Sequence, residues 1–395
     1  MSENFRSPSP PPSPGFEFRA ATRLVVGPGS IGRLGEMSRE MRAARVLVVS
    51  DPGVVRAGHA AAGISAMAGV RVGCELFDRF GENPSTDQVE AGAAMAREVR
   101  PDLIVAIGGG SSMDCAKGIN FLHSWGGRMQ DYWGRNKAGP AKGSLLPSIA
   151  VPTTAGTGSE TQSFALITDS VTGVKMACGD ARAAFTIAIL DVDLTLTQPA
   201  HVAALTAIDA VSHAVESHVS RAATPASRLF SREAWRLLAT NVPRVLEIPH
   251  DRDARGAVQL GAAWAGLAIE NAMLGAAHAC ANPLTADHGI VHGQAVGLML
   301  PHVVRFNAAA CGDGYAELAR DLDPGVAGNA AGQRLADWLA ALLERAGLPT
   351  TLAGLGLGTV DVPRLAAAAA VQWTAGFNPR TVGAVELAAL YEAAR

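Results

Sequence analysis

Hydrophobic and polar positions follow two different rhythms along the chain, and the change falls near its middle. In the first half, short apolar runs rich in β-branched residues are separated by stretches with helical spacing. We predict strands at 23–27, 44–50, 70–77, 102–109 and 147–154, and a helix over 86–99. Apolar strands that alternate with helices are typical of parallel strands buried on both faces. The first half is therefore predicted to be a Rossmann-like, doubly wound α/β domain that binds a dinucleotide.

In the second half the β-branched runs disappear, and Ala, Leu, Arg and Glu recur at helical spacing. Segments 224–242 and 330–347 are predicted helices, and the second ends at Gly347 with Pro349 beyond it, a common way for a helix to end. We predict a Pro/Ser-rich, disordered or polyproline-like leader over 1–15, the α/β domain over 16–197, and an all-helical domain over 198–395.

Composition excludes several classes of function. Lys and Arg number 33 against 36 Asp and Glu, for a net charge of −3, and no basic cluster is present. Binding to nucleic acid or to an anionic membrane is therefore not expected. Charged residues make up 17% of the chain, below the usual quarter, which favours large buried areas and a subunit interface.

The cysteines and the N-terminus bear on location. The five cysteines are scattered and include no C-x-x-C pair, which favours a reducing compartment over disulfides or a cysteine zinc site. The start, MSENFRSPSPPPSPG, lacks the apolar core of a secretory signal. No uncharged apolar run is long enough to span a bilayer. We predict a cytoplasmic protein.

Two glycine-rich loops follow predicted strands. In DLIVAIGGGSSMDCAKGI (102–119) three glycines precede a helix that we expect to begin at Ser111 or Ser112, and VPTTAGTGSE (151–160) adds several hydroxyls. Glycines let a phosphate approach the backbone, and the first N–H groups of a helix attract anions. Either loop alone is compatible with a tight turn that binds nothing. Together they favour a dinucleotide site at the carboxyl ends of parallel strands.

Asp51 follows the predicted strand 44–50 directly. A carboxylate there is placed to accept the ribose hydroxyls of adenosine and would repel a 2′-phosphate, which favours NAD over NADP. An ordinary turn acid before Pro52 and Gly53 would have the same local sequence.

Asp209 and His213, in TAIDAVSHAVESH, are four residues apart on a predicted helix and so share one face. They can chelate one divalent ion, but ordinary surface pairs have the same spacing. Glu216 and His218 turn to other faces, and we expect them to be structural.

His278 and His292 stand on either side of Pro283. Because proline interrupts a helix, we predict that these histidines lie on two elements joined by NPLTADHG (282–289). One aspartate and three histidines form a ligand set suited to Fe²⁺ or Zn²⁺. Each histidine alone would be interpreted as an ordinary core or surface residue.

Five motifs, GGGSSMDCAK, VPTTAGTGSE, IDAVSHAVESH, HACANPLTADHGIVHGQAVGLMLPHVVRFN and NPRTVGAVELAALYEAAR, resemble the iron-containing (group III) alcohol dehydrogenase family over roughly residues 16–395. The resemblance implies a dehydroquinate synthase-like fold, NAD(H) and a divalent metal as cofactors, a small alcohol or aldehyde as substrate, and a homodimer or larger oligomer. It implies four metal ligands: Asp209, His213, His278 and His292. It implies these cofactor contacts: Asp51, Asn83, Gly109, Gly110, Ser111, Asp114, Thr153, Thr154, Thr157 and Lys175.

One position departs from the family pattern. Where many members have a histidine four residues after the third ligand, this chain has Asn282. That histidine is usually assigned to proton handling, and an amide cannot titrate. The catalytic candidates are therefore Asn282, in that position, and His288. His288 is one alternative proton carrier, and water and a ribose hydroxyl are the others.

Other functions remain open at the level of sequence. A related polyol dehydrogenase would have the same motifs. A dehydroquinate synthase-like lyase would need a basic cluster for a phosphorylated substrate, which is not found. Relatives of maleylacetate reductase work without a metal, against which the complete Asp/His set argues. A non-catalytic NAD-binding sensor has the same fold, since fold alone does not prove activity.

Overall fold

The computed structural model describes residues 15–311 and 313–395. Most of the predicted leader over 1–15 therefore lies outside the described residues. Nine strands are found within them: β1 Arg23–Val26, β2 Arg45–Val49, β3 Gly73–Phe77, β4 Leu103–Gly108, β5 Gly134–Arg135, β6 Ser148–Pro152, β7 Phe164–Thr168, β8 Lys175–Gly179 and β9 Ile187–Leu190.

Fourteen α-helices are found in the same described residues: α1 Leu34–Glu40, α2 Pro52–Arg56, α3 His59–Ala68, α4 Thr86–Val99, α5 Gly110–Trp125, α6 Ala200–Val219, α7 Pro225–Glu247, α8 Arg252–Ala272, α9 Ala276–His288, α10 His292–Asn307, α11 Gly314–Leu322, α12 Ala331–Arg345, α13 Val362–Ala370 and α14 Ala384–Ala393. From Ala200 onward the described chain is helical. The predicted fold class, a parallel-sheet Rossmann-like half followed by a helical half, is confirmed.

Six strands form one parallel sheet in the order β1-β9-β6-β4-β2-β3. Side chains alternate between its two faces, as strand geometry requires. In β2, Leu47 and Val49 enter one hydrophobic cluster while Val46 and Val48 enter another. All five predicted strands belong to this sheet, and the near-continuous apolar runs that predicted them reflect burial on both faces.

A second, three-stranded sheet in the order β5-β8-β7 is not anticipated by the hydrophobic pattern. Strand β8 has the sequence KMACG, without a β-branched residue. It pairs antiparallel with β7 and parallel with the two-residue strand β5. Lys175 is the first residue of β8, so this sheet positions one of the predicted cofactor contacts.

The loop 151–160 joins the sheet to the helical half. Glycines permit the contact, because a Cβ on Gly156 would lie 2.5 Å from the Thr206 Cβ on α6. Gly158 has a φ of +61°, and its Cβ would lie 2.6 Å from the Cα of Gly266 on α8. Both positions therefore exclude larger residues, and the loop touches helices α6 and α8 of the helical half.

Among the described residues, none of the helices is both long and apolar enough to cross a membrane.

Candidate metal centre and cofactor cleft

Three helices bring four candidate ligands together. Asp209 and His213 lie one turn apart on α6, His278 lies in the first turn of α9, and His292 is the first residue of α10. The His213 and His278 rings have centroids 5.0 Å apart, and those of His278 and His292 are 5.4 Å apart. The predicted clustering of side chains from distant segments is therefore present in the structure.

Asp209 Oδ1 is the common neighbour of the three imidazoles. It lies 3.3 Å from His213 Nε2, 3.6 Å from His278 Nε2 and 3.9 Å from His292 Nε2. Four ligands placed tetrahedrally at about 2.0 to 2.2 Å from one ion are separated by about 3.3 to 3.6 Å. Donor atoms of Asp209, His278 and His292 all lie within 4.8 Å of one another. His213 lies outside this tighter group, although it is the histidine nearest to Asp209.

The burial of these side chains and their missing hydrogen bonds indicate whether the donor atoms suit a metal ion. Asp209, His213 and His278 are 5%, 5% and 3% exposed. Within the described part of the chain, Asp209 Oδ1 and His278 Nε2 have no hydrogen-bond partner. A buried polar atom without a partner is costly, and coordination of a cation would satisfy both atoms. Oxygen and imidazole donors suit Fe²⁺ and Zn²⁺ equally, so the donor set fits a divalent metal.

Glu216 holds His278 in the orientation that a metal ligand needs. Its Oε2 accepts a hydrogen bond of 2.5 Å from His278 Nδ1, and its Oε1 accepts one of 2.7 Å from the Ala277 N–H. With the proton on Nδ1, His278 Nε2 is free to coordinate. The expectation that Glu216 is merely structural is therefore wrong. The sequence gives no signal for this contact, because α9 brings His278 to Glu216 from 62 residues away.

His218, expected to be structural, is buried in a separate cluster. Its Nδ1 lies 2.9 Å from Ser231 Oγ, and its Nε2 lies 3.2 Å from Glu317 Oε2. It forms no part of the ligand group.

The protonation states of Asp209, His213 and His292 favour metal binding. Burial acts to raise the pKa of the Asp209 carboxyl, but His213, His278 and His292 outweigh it and hold that pKa well below its ordinary value. Burial lowers the pKa of His292 to about 3 and also lowers the pKa of His213. At neutral pH the centre therefore presents a carboxylate at Asp209 and neutral imidazoles at His213 and His292, the forms that coordinate cations. Burial acts to lower the pKa of His278, but Glu216 and Asp209 outweigh it and raise that pKa to about 9, so a cation bound at His278 Nε2 must displace a proton.

The predicted connection between His278 and His292 needs correction. The two histidines do lie on different helices, but Pro283 is inside α9 rather than at its end, and α9 continues to His288. The break falls at Gly289, which has a φ of +68°. Pro283 is buried, and we attribute its tolerance to packing that offsets the one lost backbone hydrogen bond.

The two catalytic candidates lie at different distances from the ligands. Asn282 follows His278 by one helical turn, and its Nδ2 donates a 3.0 Å hydrogen bond to Gln372 Oε1. His288, half-buried at the end of α9, lies ten residues or about 15 Å of helical rise beyond His278. Helix α9 therefore keeps Asn282 one turn from His278 and carries His288 away from that ligand, toward the Gly289 turn that precedes His292.

The first glycine loop packs against the second. A Cβ on Gly109 would lie 3.2 Å from Thr154, and one on Gly110 would lie 2.8 Å from Thr157. The Thr153 N–H donates to the Gly108 carbonyl at 2.9 Å. Helix α5 begins at Gly110, one residue before the predicted start. The predicted contacts of both loops thus lie together at the carboxyl ends of β4 and β6, where we place the cofactor cleft.

Three further predicted cofactor contacts form a hydrogen-bonded chain beside this cleft. Lys175 Nζ donates to Asn83 Oδ1 at 2.8 Å, and the Asn83 N–H donates to Ser111 Oγ at 3.2 Å. Burial lowers the pKa of Lys175, while Asp114 and Asp209 act to raise it. Lys175 therefore lies within electrostatic range of both the first loop and the metal centre.

Asp114 is buried and accepts a 2.9 Å hydrogen bond from Ser159 Oγ. Burial raises its pKa, and Lys117 is the largest influence that opposes the rise. Lys117 Nζ donates to the Ser159 carbonyl and to Ser159 Oγ at 2.7 and 2.9 Å. This buried network, which sequence reasoning does not reveal beyond Asp114, ties the two loops together.

Asp51 caps helix α2. Its Oδ1 accepts from the N–H groups of Gly53 and Val54 at 2.9 and 3.1 Å, and its Oδ2 accepts from Ser112 Oγ at 3.2 Å. The turn role considered for Asp51 is therefore present. The capping carboxylate also lies at the mouth of the first loop. A second role, in which Asp51 binds the ribose of adenosine, therefore remains a prediction.

Two family models match this chain, one for each half. The model of the iron-containing alcohol dehydrogenase family matches residues 21–192, and that of the family's C-terminal domain matches residues 203–395. The chain is 32% identical to the NAD-dependent methanol dehydrogenase of Bacillus methanolicus over 92% of this chain and 96% of that protein.

Solved structures agree. A 1,3-propanediol oxidoreductase superposes with a TM-score of 0.93 at 30% identity, covering 97% of this chain and 100% of that one. A sulfoacetaldehyde reductase from Bifidobacterium kashiwanohense in complex with NAD⁺ superposes with a TM-score of 0.86 at 28% identity, covering 96% and 98% of the two chains.

Proposed function

The chain belongs to the iron-containing alcohol dehydrogenase family, and from that membership we propose which residues carry its reaction and on what substrate. It is an NAD-dependent oxidoreductase that interconverts alcohols and aldehydes by hydride transfer. The observation that carries the assignment of the site is the convergence of three imidazoles on one buried, otherwise unpartnered oxygen of Asp209.

Asp209, His213, His278 and His292 would hold a divalent iron or zinc ion. When bound, the ion supplies Lewis acidity toward the oxygen of the substrate. Glu216 fixes the tautomer and the orientation of His278 through the 2.5 Å hydrogen bond. His292 is the most open of the set, with 31% of its side chain exposed, so we place the approach of the substrate on its side.

The cofactor residues orient NAD(H) against this centre. Gly109 and Gly110 let the backbone approach the pyrophosphate, and the uncapped start of α5 attracts its charge. Lys175, held by Asn83 at 2.8 Å, would position the ribose of the nicotinamide. Burial of the ligands excludes water from the hydride path.

Residue 282 does not carry the proton of the alcohol, because the Asn282 amide cannot titrate. The Asn282 amide is fixed by Gln372 and orients the substrate or a water molecule by hydrogen bonding. His288 stays the candidate for the final carrier, reached through water because it lies at the far end of α9 from His278. If it has this role, His288→Ala shifts or flattens the pH profile of kcat; an unchanged profile leaves water or the ribose as the path.

The substrate is a small alcohol or aldehyde. Two similar proteins are named for methanol and for 1,3-propanediol, which supports this substrate class. From the low charged fraction of 17% and the family, we further propose a homodimer or larger oligomer. The scattered, unpaired cysteines support a cytoplasmic location.

The assignment is tested by loading the purified protein with Fe²⁺ or Zn²⁺ and following NADH absorbance with a panel of short alcohols and aldehydes. Asp209→Ala and His278→Ala are expected to lose both bound metal and turnover. His302→Ala is the matched control, because His302 is a half-buried histidine on α10 outside the ligand group. Full metal content and activity in the Asp209 and His278 variants would refute the assignment.

A further inference from the structure

A cavity of about 220 Å³ lies at the start of helix α6, away from the metal centre. Its walls come from the first turns of α6, the end of α7, the segment before and the start of α8, and the end of α12. They include Ala200, His201, Ala204, Pro249, Arg255 and Arg345. Asp209 is nine residues further along α6, or about 13 Å of helical rise, so the cavity is separate from the metal centre.

The charged walls of this cavity are all basic. His201, Arg255 and Arg345 line it, and none of its lining residues is an aspartate or glutamate. Arg345 pairs with Glu247 at the rim, with 48% and 63% of the two side chains exposed. Glu247 is not among the residues that line the cavity, so the cavity itself contains no carboxylate.

Arg255 is the unusual member, because it is only 3% exposed. Its Nε donates to the Pro249 carbonyl at 2.7 Å, and its Nη1 donates to the Thr195 carbonyl at 2.8 Å and to Gln198 Oε1 at 3.5 Å, which leaves Nη2 available. In the described part of the chain it forms no ion pair with a carboxylate. Burial lowers its pKa. A buried cation without a charged partner is costly, and the guanidinium fork leaves donors free for an anion.

The start of α6 adds a second favourable feature. Its N-cap is Pro199, which provides no side-chain hydrogen bond to the first-turn N–H groups, and the helix is 20 residues long. Free N–H groups and the helix dipole favour an anion at such an end. Helix α7, by contrast, begins with a complete capping box at Thr224.

We propose that this cavity, the α6 anion site, binds a phosphate-class oxyanion, either as free phosphate or as the end group of a small phosphate ester. The oxygens accept from the free donors of Arg255, from Arg345 at the rim and from the first N–H groups of α6. A volume of about 220 Å³ exceeds the roughly 30 Å³ share of one water several-fold, which leaves room for a phosphate group.

A second basic groove provides the contrast. It has a volume of about 730 Å³ and is lined by Arg228, Arg232 and Arg236, but also by Glu233 and Glu317. Arg232 further pairs with Asp321 at 3.2 Å. Its arginines are therefore balanced by carboxylates, and no anion site is proposed there.

The test is calorimetric titration of the metal-loaded protein with inorganic phosphate in the presence of saturating NAD. When NAD is saturating, its pyrophosphate occupies the glycine loops. Any phosphate that still binds is therefore bound at another site. We expect one phosphate per chain. Arg345→Gln should weaken binding about fivefold, and Ala200→Glu, which places a carboxylate at the exposed mouth beside the helix start, should weaken it more than tenfold.

Arg232→Gln is the matched control, because its side chain is 46% exposed and paired like that of Arg345. It should bind phosphate as the unaltered protein does. Both test positions are exposed and leave the hydrogen bonds of Arg255 intact, and unchanged melting temperatures without phosphate verify folding. A parallel titration with glycerol 3-phosphate separates the sources: tighter binding of the ester identifies the end group of an ester as the ligand.

No binding of either ligand, or equal phosphate binding by the unaltered protein, Arg345→Gln and Ala200→Glu, would overturn the proposal. The proposal does not depend on the catalytic assignment, since neither altered residue touches the metal centre.

Discussion

Replacing Glu216 with glutamine tests whether the orientation of His278 determines the affinity for metal. The Glu216 side chain is 4% exposed, and its two oxygens accept separate hydrogen bonds from His278 Nδ1 and from the Ala277 N–H. A glutamine of the same shape has one acceptor oxygen. Either the Ala277 N–H is left without an acceptor or the amide donor faces His278 Nδ1 and favours the tautomer whose Nε2 cannot coordinate.

The magnitude follows from the lost interaction. A hydrogen bond to a charged group contributes about 1.5 to 3 kcal/mol, which corresponds to about a 10- to 100-fold loss of metal affinity, the range typical of residues that orient a ligand. The assay is competition for Zn²⁺ with a chromophoric chelator, followed by kinetics at saturating metal. Because Glu216 positions His278 rather than reacting, most of kcat should return when metal saturates the site.

Glu317→Gln is the matched control. Glu317 contacts the other buried histidine of this kind, His218, at 3.2 Å, and His218 lies outside the ligand group. Its variant should keep metal affinity within about twofold. Glu216→Gln with affinity as high as that of Glu317→Gln would refute the reasoning.

Three further predictions follow from other features. Burial raises the pKa of Glu160 to about 7 from 4.5, so the folded protein retains a proton that the unfolded chain releases, and stability is lost as the pH rises through this window. In urea unfolding, the stability of Glu160→Gln relative to the unaltered protein should be greater at pH 8 than at pH 4 by up to about 3 kcal/mol. An equal difference between the two proteins at both pH values would contradict this. Gly158→Ala should lower the free energy of unfolding by about 2 kcal/mol or more in the same assay, because its φ is +61° and the new Cβ meets Gly266. Asp51→Ser, which keeps a capping oxygen, should raise the kcat/KM for NADPH relative to NADH in aldehyde reduction; an unchanged ratio would remove Asp51 from cofactor selection.

The helices and strands that the sequence predicted correctly are those stabilised by contacts close in sequence or by a repeating pattern of buried residues. Helix α4 spans Thr86–Val99 as predicted, because a capping box of Ser85 and Gln88 starts it and its apolar positions face the sheet. The buried strands were recognisable because both faces are covered. The small sheet was not, since β8 is defined by its pairing with β7 and β5 rather than by its own residues.

The candidate site divides in the same way. Spacing alone related Asp209 to His213. His278 and His292 were grouped with them as a chemically suitable set, and the family resemblance then implied that all four are ligands, because two separate helices set the positions of His278 and His292. Glu216 was misjudged since its partner lies on α9. Pro283 was misjudged since the rule for proline weighs one backbone hydrogen bond and omits the burial that keeps α9 intact.

The contact between Gly158 and Gly266 has a consequence for the exchange of domains among relatives. A crossover placed at the obvious texture change near residue 197 would pair one parent's loop with another parent's helix α8, although no side chain can fill or relieve that backbone contact. Chimeras should therefore tolerate recombination only when the parent of the first half carries Gly158 and the parent of the second half carries Gly266, which makes this pair a simple compatibility criterion for shuffling the halves.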